Sequence, residues 1–126
     1  MTGKSGVIAA MVVLLVGAAA PPATAEPAIS CDYRVTSWRG AFSADLSIAN
    51  SGPAIDGWTV HLSFPGPTTL LQTWRASMTQ SSPFDLIATN LPWDGVISTG
   101  RMVTFGWTAT AADTEVPAMS VNGTAC

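Results

Sequence analysis

The segment from Gly57 to Phe64 alternates strictly between apolar and polar side chains. Its apolar positions are Trp58, Val60, Leu62 and Phe64, and its polar positions are Thr59, His61 and Ser63. A period of two residues is typical of a β-strand that turns one face to a core and the other to solvent. Gly57 before the segment and Pro65-Gly66-Pro67 after it indicate turns at both ends. The pattern therefore predicts that Trp58 belongs to the core.

Other segments of the chain are also extended, and none after residue 25 shows helical periodicity or an internal repeat. We expect further strands at residues 31–38, 41–50, 70–80, 84–88 and 101–108 and around residues 119–121. Trp107 shares a strand face with Val103 and Phe105, so it is expected inside the fold or at its edge. The segment 70–80 has no simply apolar face, which indicates a β-bulge or an exposed aromatic side chain. These features predict an all-β fold, an antiparallel β-sandwich of about nine strands.

Residues 1–25 have the pattern of a signal peptide. Lys4 precedes the apolar run 7–20, which is shorter than the roughly 20 residues of a membrane span, and a small-x-small cleavage site follows at residues 23–25. An uncleaved membrane anchor is the alternative, which the two prolines at 21 and 22 disfavour. We therefore expect a secreted, extracellular protein with no membrane contact after cleavage, a leader at residues 26–30 and a binding domain at residues 31–126.

The two cysteines, Cys31 and Cys126, stand near the two ends of the expected mature chain. An even number of cysteines in a secreted protein is read as disulfide-bonded, so we expect a bridge that joins the N- and C-terminal ends. The alternative is a pair of free thiols. Two cysteines and the single His61 do not supply the four ligands of a structural zinc site, so no metal and no cofactor are expected.

Charge is scarce in this sequence. Five basic and eight acidic residues give a net charge of −3, and charged residues make up 10% of the chain. A basic patch cannot be assembled from so few cations, so nucleic acid is not expected as a partner. Ser, Thr, Asn and Gln must cover most of the surface, and such a surface suits a neutral, hydroxyl-rich partner.

Three of the five tryptophans, Trp38, Trp74 and Trp93, stand in polar or turn-forming contexts. The alternative for each one alone is a partly buried packing residue, but three of them in a chain with few charges indicate a binding surface. The axial C–H face of a pyranose ring is apolar and can stack on an indole, while polar side chains reach the hydroxyl groups of its rim. Several such platforms on a rigid sheet combine their contributions on a repeating polymer.

The order of several short motifs resembles the family 2 carbohydrate-binding modules of secreted bacterial glycanases. The motifs are Trp38-x-x-x-Phe42, Gly57-Trp58, Gln72-x-Trp74, Asn90-x-x-Trp93-x-Gly95, Phe105-Gly106 and Asn122-Gly123-Thr124-x-Cys126. The resemblance implies a nine-stranded β-sandwich with a terminal disulfide and a flat face of three exposed tryptophans, which correspond to Trp38, Trp74 and Trp93.

The resemblance also implies polar contacts and a ligand preference. Gln72 corresponds to a polar residue beside the middle tryptophan, and Asp45 and Asp94 stand where asparagine is usual, so all three are expected to contact carbohydrate. Ala41 is small at the position that lets the first indole lie flat in the cellulose-binding branch. Crystalline cellulose is therefore the expected ligand, with chitin second.

The expected protein is not an enzyme, because glycoside hydrolysis needs two carboxylates at a defined separation and none of the eight acids lies in a motif that marks such a pair. We expect a monomeric, non-catalytic protein that binds insoluble polysaccharide. The alternative is a secreted adhesion or interaction protein that uses the same aromatic face on a partner protein or a host glycan.

Overall fold

The structure is a computed structural model that describes residues 28–112 and 115–126; the expected signal peptide lies outside these residues. The described residues contain eleven strands and no helix, and therefore no helix that could cross a membrane. The strands are β1 (Ile29–Trp38), β2 (Ala41–Asn50), β3 (Ile55–Asp56), β4 (Thr59–Ser63), β5 (Thr68–Trp74), β6 (Ser77–Ser82), β7 (Asp85–Thr89), β8 (Val96–Ile97), β9 (Arg101–Ala111), β10 (Ala118–Val121) and β11 (Thr124–Ala125).

The strands form two antiparallel sheets and a small ribbon. The first sheet has the order β1-β2-β9-β5, and the second has the order β11-β10-β4-β7-β6. The two-residue strands β3 and β8 pair with each other. The all-β sandwich is thus confirmed, with eleven strands rather than about nine, because three strands of only two residues have no periodicity that a sequence could show.

The core contains the apolar side chains that the strands turn inward. It includes Phe42, Ala44, Leu46 and Ile48 of β2, Val60 and Leu62 of β4, and Phe105, Trp107 and Ala109 of β9. Phe105 stacks between two indoles, with ring centroids 5.2 Å from Trp58 and 5.6 Å from Trp107. Trp58 and Trp107 are both fully buried, which confirms their predicted place in the core.

The disulfide Cys31–Cys126 is present, with the two Cα atoms 5.5 Å apart and a sequence separation of 95. Cys31 lies in β1 of the first sheet, and Cys126 follows β11 of the second sheet. The bridge therefore joins the two sheets at one edge of the sandwich as well as the two ends of the domain. A loop of this length corresponds to about 4–5 kcal/mol of stability in the chain-entropy account.

Several strand bounds differ from the sequence-based expectation, and two of these differences are substantial. The segment 70–80 is not one strand, because Arg75 has a φ of 63° and turns the chain from β5 in the first sheet to β6 in the second. The expected β-bulge is present at Leu71, where the register shifts between Leu70 and Gln72. The first strand begins at Ile29, so the last two residues of the expected leader belong to the sheet.

One side chain closes the gap between the sheets where β5 is an edge strand. Gln80 of β6 accepts a hydrogen bond from Leu70 N at 3.0 Å and donates one to Thr68 O. Its amide therefore forms hydrogen bonds with backbone N–H and C=O groups of β5 that would otherwise be open to a neighbouring strand.

Candidate functional site

The outer face of the first sheet, defined here as the side chains of β1, β2, β5 and β9 that point away from the core, is where most of the predicted site residues meet. The strand register places Arg34, Asp45, Gly106 and Trp74 side by side in one row across the four strands. A second row contains Trp38, Ala41, Thr110 and Thr69. The face is thus built by register from residues that are far apart in the sequence.

Trp74 extends across β9, and Gly106 makes this possible. A Cβ at Gly106 would lie 2.4 Å from two carbon atoms of the Trp74 indole, so the ring rests directly on the glycine backbone. The indole Nε1 donates a hydrogen bond of 3.3 Å to Asp45 Oδ1 on β2. Trp74 is half-buried, whereas the resemblance implied three exposed tryptophans, because the sheet itself covers one side of its indole.

Trp38 is the last residue of β1, and 53% of it is exposed. It faces Ala41 across the tight turn at Arg39 and Gly40, where Gly40 adopts a φ of 71°. The small side chain of Ala41 leaves the surface beside the indole open. Trp38 therefore presents an exposed ring at one corner of the outer face.

Trp93 is the most exposed of the three, at 71%, and lies in the loop between β7 and β8. Asp94 holds this loop, because its Oδ1 accepts a 2.6 Å hydrogen bond from Leu91 N and its carbonyl oxygen accepts a 2.8 Å bond from Trp58 Nε1. Asn90 Oδ1 also accepts a hydrogen bond from the backbone N–H of Trp58, at 2.9 Å. The core tryptophan thus anchors the loop that presents Trp93.

The three indoles lie beside successive rows of the outer face along the direction of β9. Trp38 is in the row of Thr110 and Trp74 lies over Gly106. Trp93 lines a depression of about 260 Å³ together with Met102 and Thr104 of β9, beyond the end of β5. Four residues of strand separate the first two rows, or about 13 Å at 3.3 Å per residue. The three indoles are therefore spaced along the strand direction rather than clustered at one point.

The other predicted residues take different places. Gln72 is exposed on the outer face beside Thr108, between the rows of Trp38 and Trp74. Asp45 is exposed on the same face and fixes the Trp74 indole. Asp94 is only partly exposed and commits one carboxylate oxygen to the Trp93 loop, so the structure gives it a supporting role beside any contact with ligand.

Sequence reasoning missed Gly106 as a site residue. A glycine inside a predicted strand is a known signal of close approach by another group, and that signal was available in the segment 101–108. Thr104 and Met102 on the same strand were also missed. Nothing in the sequence shows that β5 ends before it reaches them and that Trp93 lies beside them instead.

A separate polar cluster lies on the outer face of the second sheet. Asp85 accepts a 2.6 Å hydrogen bond from Ser82 Oγ, and its other oxygen lies 2.9 Å from His61 Nε2. The Ser82 bond, and then the His61 bond, hold the pKa of Asp85 below its ordinary value. Both carboxylate oxygens are occupied, so the cluster ties β4, β6 and β7 together. The described residues contain no group of three or more side chains that could hold a metal ion.

On the inner face of β1, Tyr33 packs near Trp107, with ring centroids 6.0 Å apart. Burial raises the pKa of Tyr33 to about 12, so its phenol stays neutral. This group stabilises the sandwich and takes no part in the outer face.

Comparison with known proteins identifies relatives of this chain. The family model described as a cellulose binding domain matches residues 29–126. The chain is 36% identical over 101 residues to endoglucanase C of Cellvibrio japonicus, covering 79% of this chain and 13% of the relative. It is 33% identical over 97 residues to exoglucanase A of Cellulomonas fimi, covering 75% and 11%. The chain thus spans a small part of the length of these relatives.

Solved structures of similar fold include two small domains. The chitin-binding domain of Chi18aC from Streptomyces coelicolor matches with a TM-score of 0.67 and 27% identity, covering 79% of this chain and 94% of that one. The cellulose-binding family 2 carbohydrate-binding domain from ScLPMO10C matches with a TM-score of 0.56 and 30% identity, covering 74% and 91%. The sandwich described above is therefore the fold of both.

Proposed function

Because the chain belongs to the family of cellulose-binding domains, we propose that it is a secreted, non-catalytic module that binds insoluble β-1,4-glycans on its outer face. The observation that carries the proposal is that Trp38, Trp74 and Trp93 lie beside successive rows on the outer face of one sheet. The signal-peptide pattern of residues 1–25 supports secretion.

Stacking on the three indoles explains how such a face holds a polymer. Each aromatic platform contributes on the order of 1 kcal/mol beyond the apolar area it buries. One platform is weak, but three on one rigid support act on the same chain and combine their effects. The sheet supports the Trp74 indole, and the core tryptophan Trp58 holds the Trp93 loop, so little freedom of that indole and of the loop backbone remains to be lost on binding.

Crystalline cellulose is the proposed ligand, and chitin is the second. Ala41 leaves the surface beside Trp38 open, which favours a flat approach by a sheet-like crystal face. One similar solved domain is described as cellulose-binding and another as chitin-binding, so both polymers belong in the test.

Hydrolysis is not part of the proposal. Asp45 is bonded to an indole, Asp94 holds a loop, and Asp85 lies on the other sheet, so these carboxylates do not face one another across a cleft. We expect no release of reducing sugars from soluble glycans.

The test is retention on microcrystalline cellulose, chitin and insoluble xylan, measured side by side. Trp74→Ala and Trp93→Ala should each reduce retention about tenfold with little change in melting temperature, because neither ring is fully buried. Phe84→Ala is the matched control, since Phe84 is an exposed aromatic (43%) at the β6–β7 turn, outside the outer face. Retention that is nearly insensitive to salt is expected, because stacking involves no charge.

The competing function, adhesion to a protein or a host glycan through the same face, makes a different prediction. It requires that the wild type is not retained on any of the three polymers while the tryptophans stay exposed. Size-exclusion chromatography of the free protein checks the expected monomer in the same preparation.

A further inference from the structure

We propose that Asp45 gives the outer face a preference for glycans that carry free amino groups, such as partially deacetylated chitin. The inference rests on the proposed function, because it concerns the same face. It adds the charged side chain of Asp45 to the three indoles as a group that recognises the ligand.

The position of the carboxylate carries the argument. Asp45 is exposed and lies in the row of Trp74, with only Gly106 between them. The Trp74 Nε1 group bonds to Asp45 Oδ1, so the carboxylate stands at the edge of the indole. A pyranose stacked on that indole directs its rim substituents toward the same edge. The second oxygen of Asp45 is therefore available to a substituent of the sugar.

The surroundings leave the charge of Asp45 without a cationic partner. Arg34 is its neighbour on β1, but the Arg34 guanidinium is paired with Asp32, with Nη2 and Nε each 3.1 Å from Asp32 Oδ2. In the part of the chain that the structure describes, no ion pair involves Asp45. A depression of about 460 Å³ opens beside it, which is room for a sugar ring.

A carboxylate distinguishes an ammonium group from a hydroxyl or acetamide group by charge. All three can donate a hydrogen bond to the Asp45 carboxylate, but only the ammonium also brings a full positive charge that attracts it. One unit charge pair at about 4 Å in water corresponds to roughly a fivefold change in affinity. An asparagine at this position would still accept the Trp74 bond and would lose only the charge.

The experiment compares wild type, Asp45→Asn and Asp56→Asn on one insoluble chitin before and after partial deacetylation, and on cellulose, at mildly acidic pH. Asp56→Asn makes the same charge change on β3, where Asp56 is exposed and outside the outer face. We expect wild type and Asp56→Asn to bind the deacetylated polymer about fivefold more tightly than chitin at low salt. Asp45→Asn should lose that difference and keep its retention on cellulose.

Two results overturn the inference. The first is equal retention of wild type on both forms of chitin, and the second is an equal loss in Asp45→Asn and Asp56→Asn, which would indicate a general attraction to an acidic protein. Either result, with Trp74-dependent binding to cellulose or chitin intact, leaves the proposed function standing. If wild type binds none of the polymers, both proposals are wrong.

Discussion

Replacing Gly106 by alanine should weaken polysaccharide binding although residue 106 would not itself touch the ligand. The new Cβ would lie 2.4 Å from Cε2 and Cζ2 and 2.5 Å from Nε1 of the Trp74 indole. Carbon atoms in contact are about 3.5–4.0 Å apart, so the ring must lift from the sheet by roughly 1 Å or more. Lifting the ring lengthens its 3.3 Å hydrogen bond to Asp45 and removes Trp74 from the plane of the sheet.

The substitution should weaken binding more than it changes the stability of the fold. Losing one stacking platform costs about 1 kcal/mol or more of binding, which is a five- to tenfold weaker affinity. The hydrogen bond to Asp45 is worth about 1 kcal/mol of stability, but alanine recovers about 0.5–1 kcal/mol relative to glycine in a strand. The melting temperature should therefore move by only a few degrees.

A double-mutant cycle tests this reasoning. Depletion isotherms on cellulose are measured for wild type, Gly106→Ala, Trp74→Ala and the double variant, with thermal unfolding by circular dichroism beside them. If Gly106→Ala acts through the indole, it has no further effect once Trp74 is removed. Wild-type affinity in Gly106→Ala, or an equal loss in both backgrounds, would refute the mechanism.

Three further predictions concern the fold. Trp107→Phe should lower the free energy of unfolding by less than about 1 kcal/mol, because it removes a buried indole N–H that has no partner. Trp58→Phe should lower it more, because it leaves the Asp94 carbonyl unpaired; chemical denaturation of both variants compares the two losses. Asp85→Asn should destabilise the domain at neutral pH, and the difference from wild type should vanish as the pH falls through the lowered pKa of Asp85; unchanged stability at neutral pH would contradict this. Reducing the Cys31–Cys126 bridge should cost about 4–5 kcal/mol in denaturant titrations, and a loss below 1 kcal/mol would contradict the loop-closure account.

The parts of the fold with regular alternation could be predicted from the sequence. β2 has the expected bounds, Ala41–Asn50, because its inward residues from Phe42 to Ile48 are apolar and a strong turn follows it. Trp58 and Trp107 were placed in the core for a similar reason, since the apolar residues at 58–64 and at 103–107 alternate with polar residues or glycine. The disulfide followed from the cysteine count and an expected secreted location.

The remaining features depend on tertiary contacts that leave no local pattern. The change of sheet at Arg75 requires a positive φ at a residue that is not glycine, and no turn motif announces it. The support that Asp94 gives to Leu91 and Trp58 involves backbone groups, which a sequence does not distinguish. That Trp74 lies across Gly106 depends on the register between β5 and β9.

The Gln80 amide on the edge of β5 has a consequence for protein crowded on a solid. A sheet edge with unpaired N–H and C=O groups is a template on which another chain can add a strand. Molecules gathered on a polymer surface meet at high local concentration, where such addition leads to fibrous aggregates. Because Gln80 already occupies the groups of Leu70 and Thr68, that part of the β5 edge is closed to strand addition, and a dense adsorbed layer can remain a layer of separate domains.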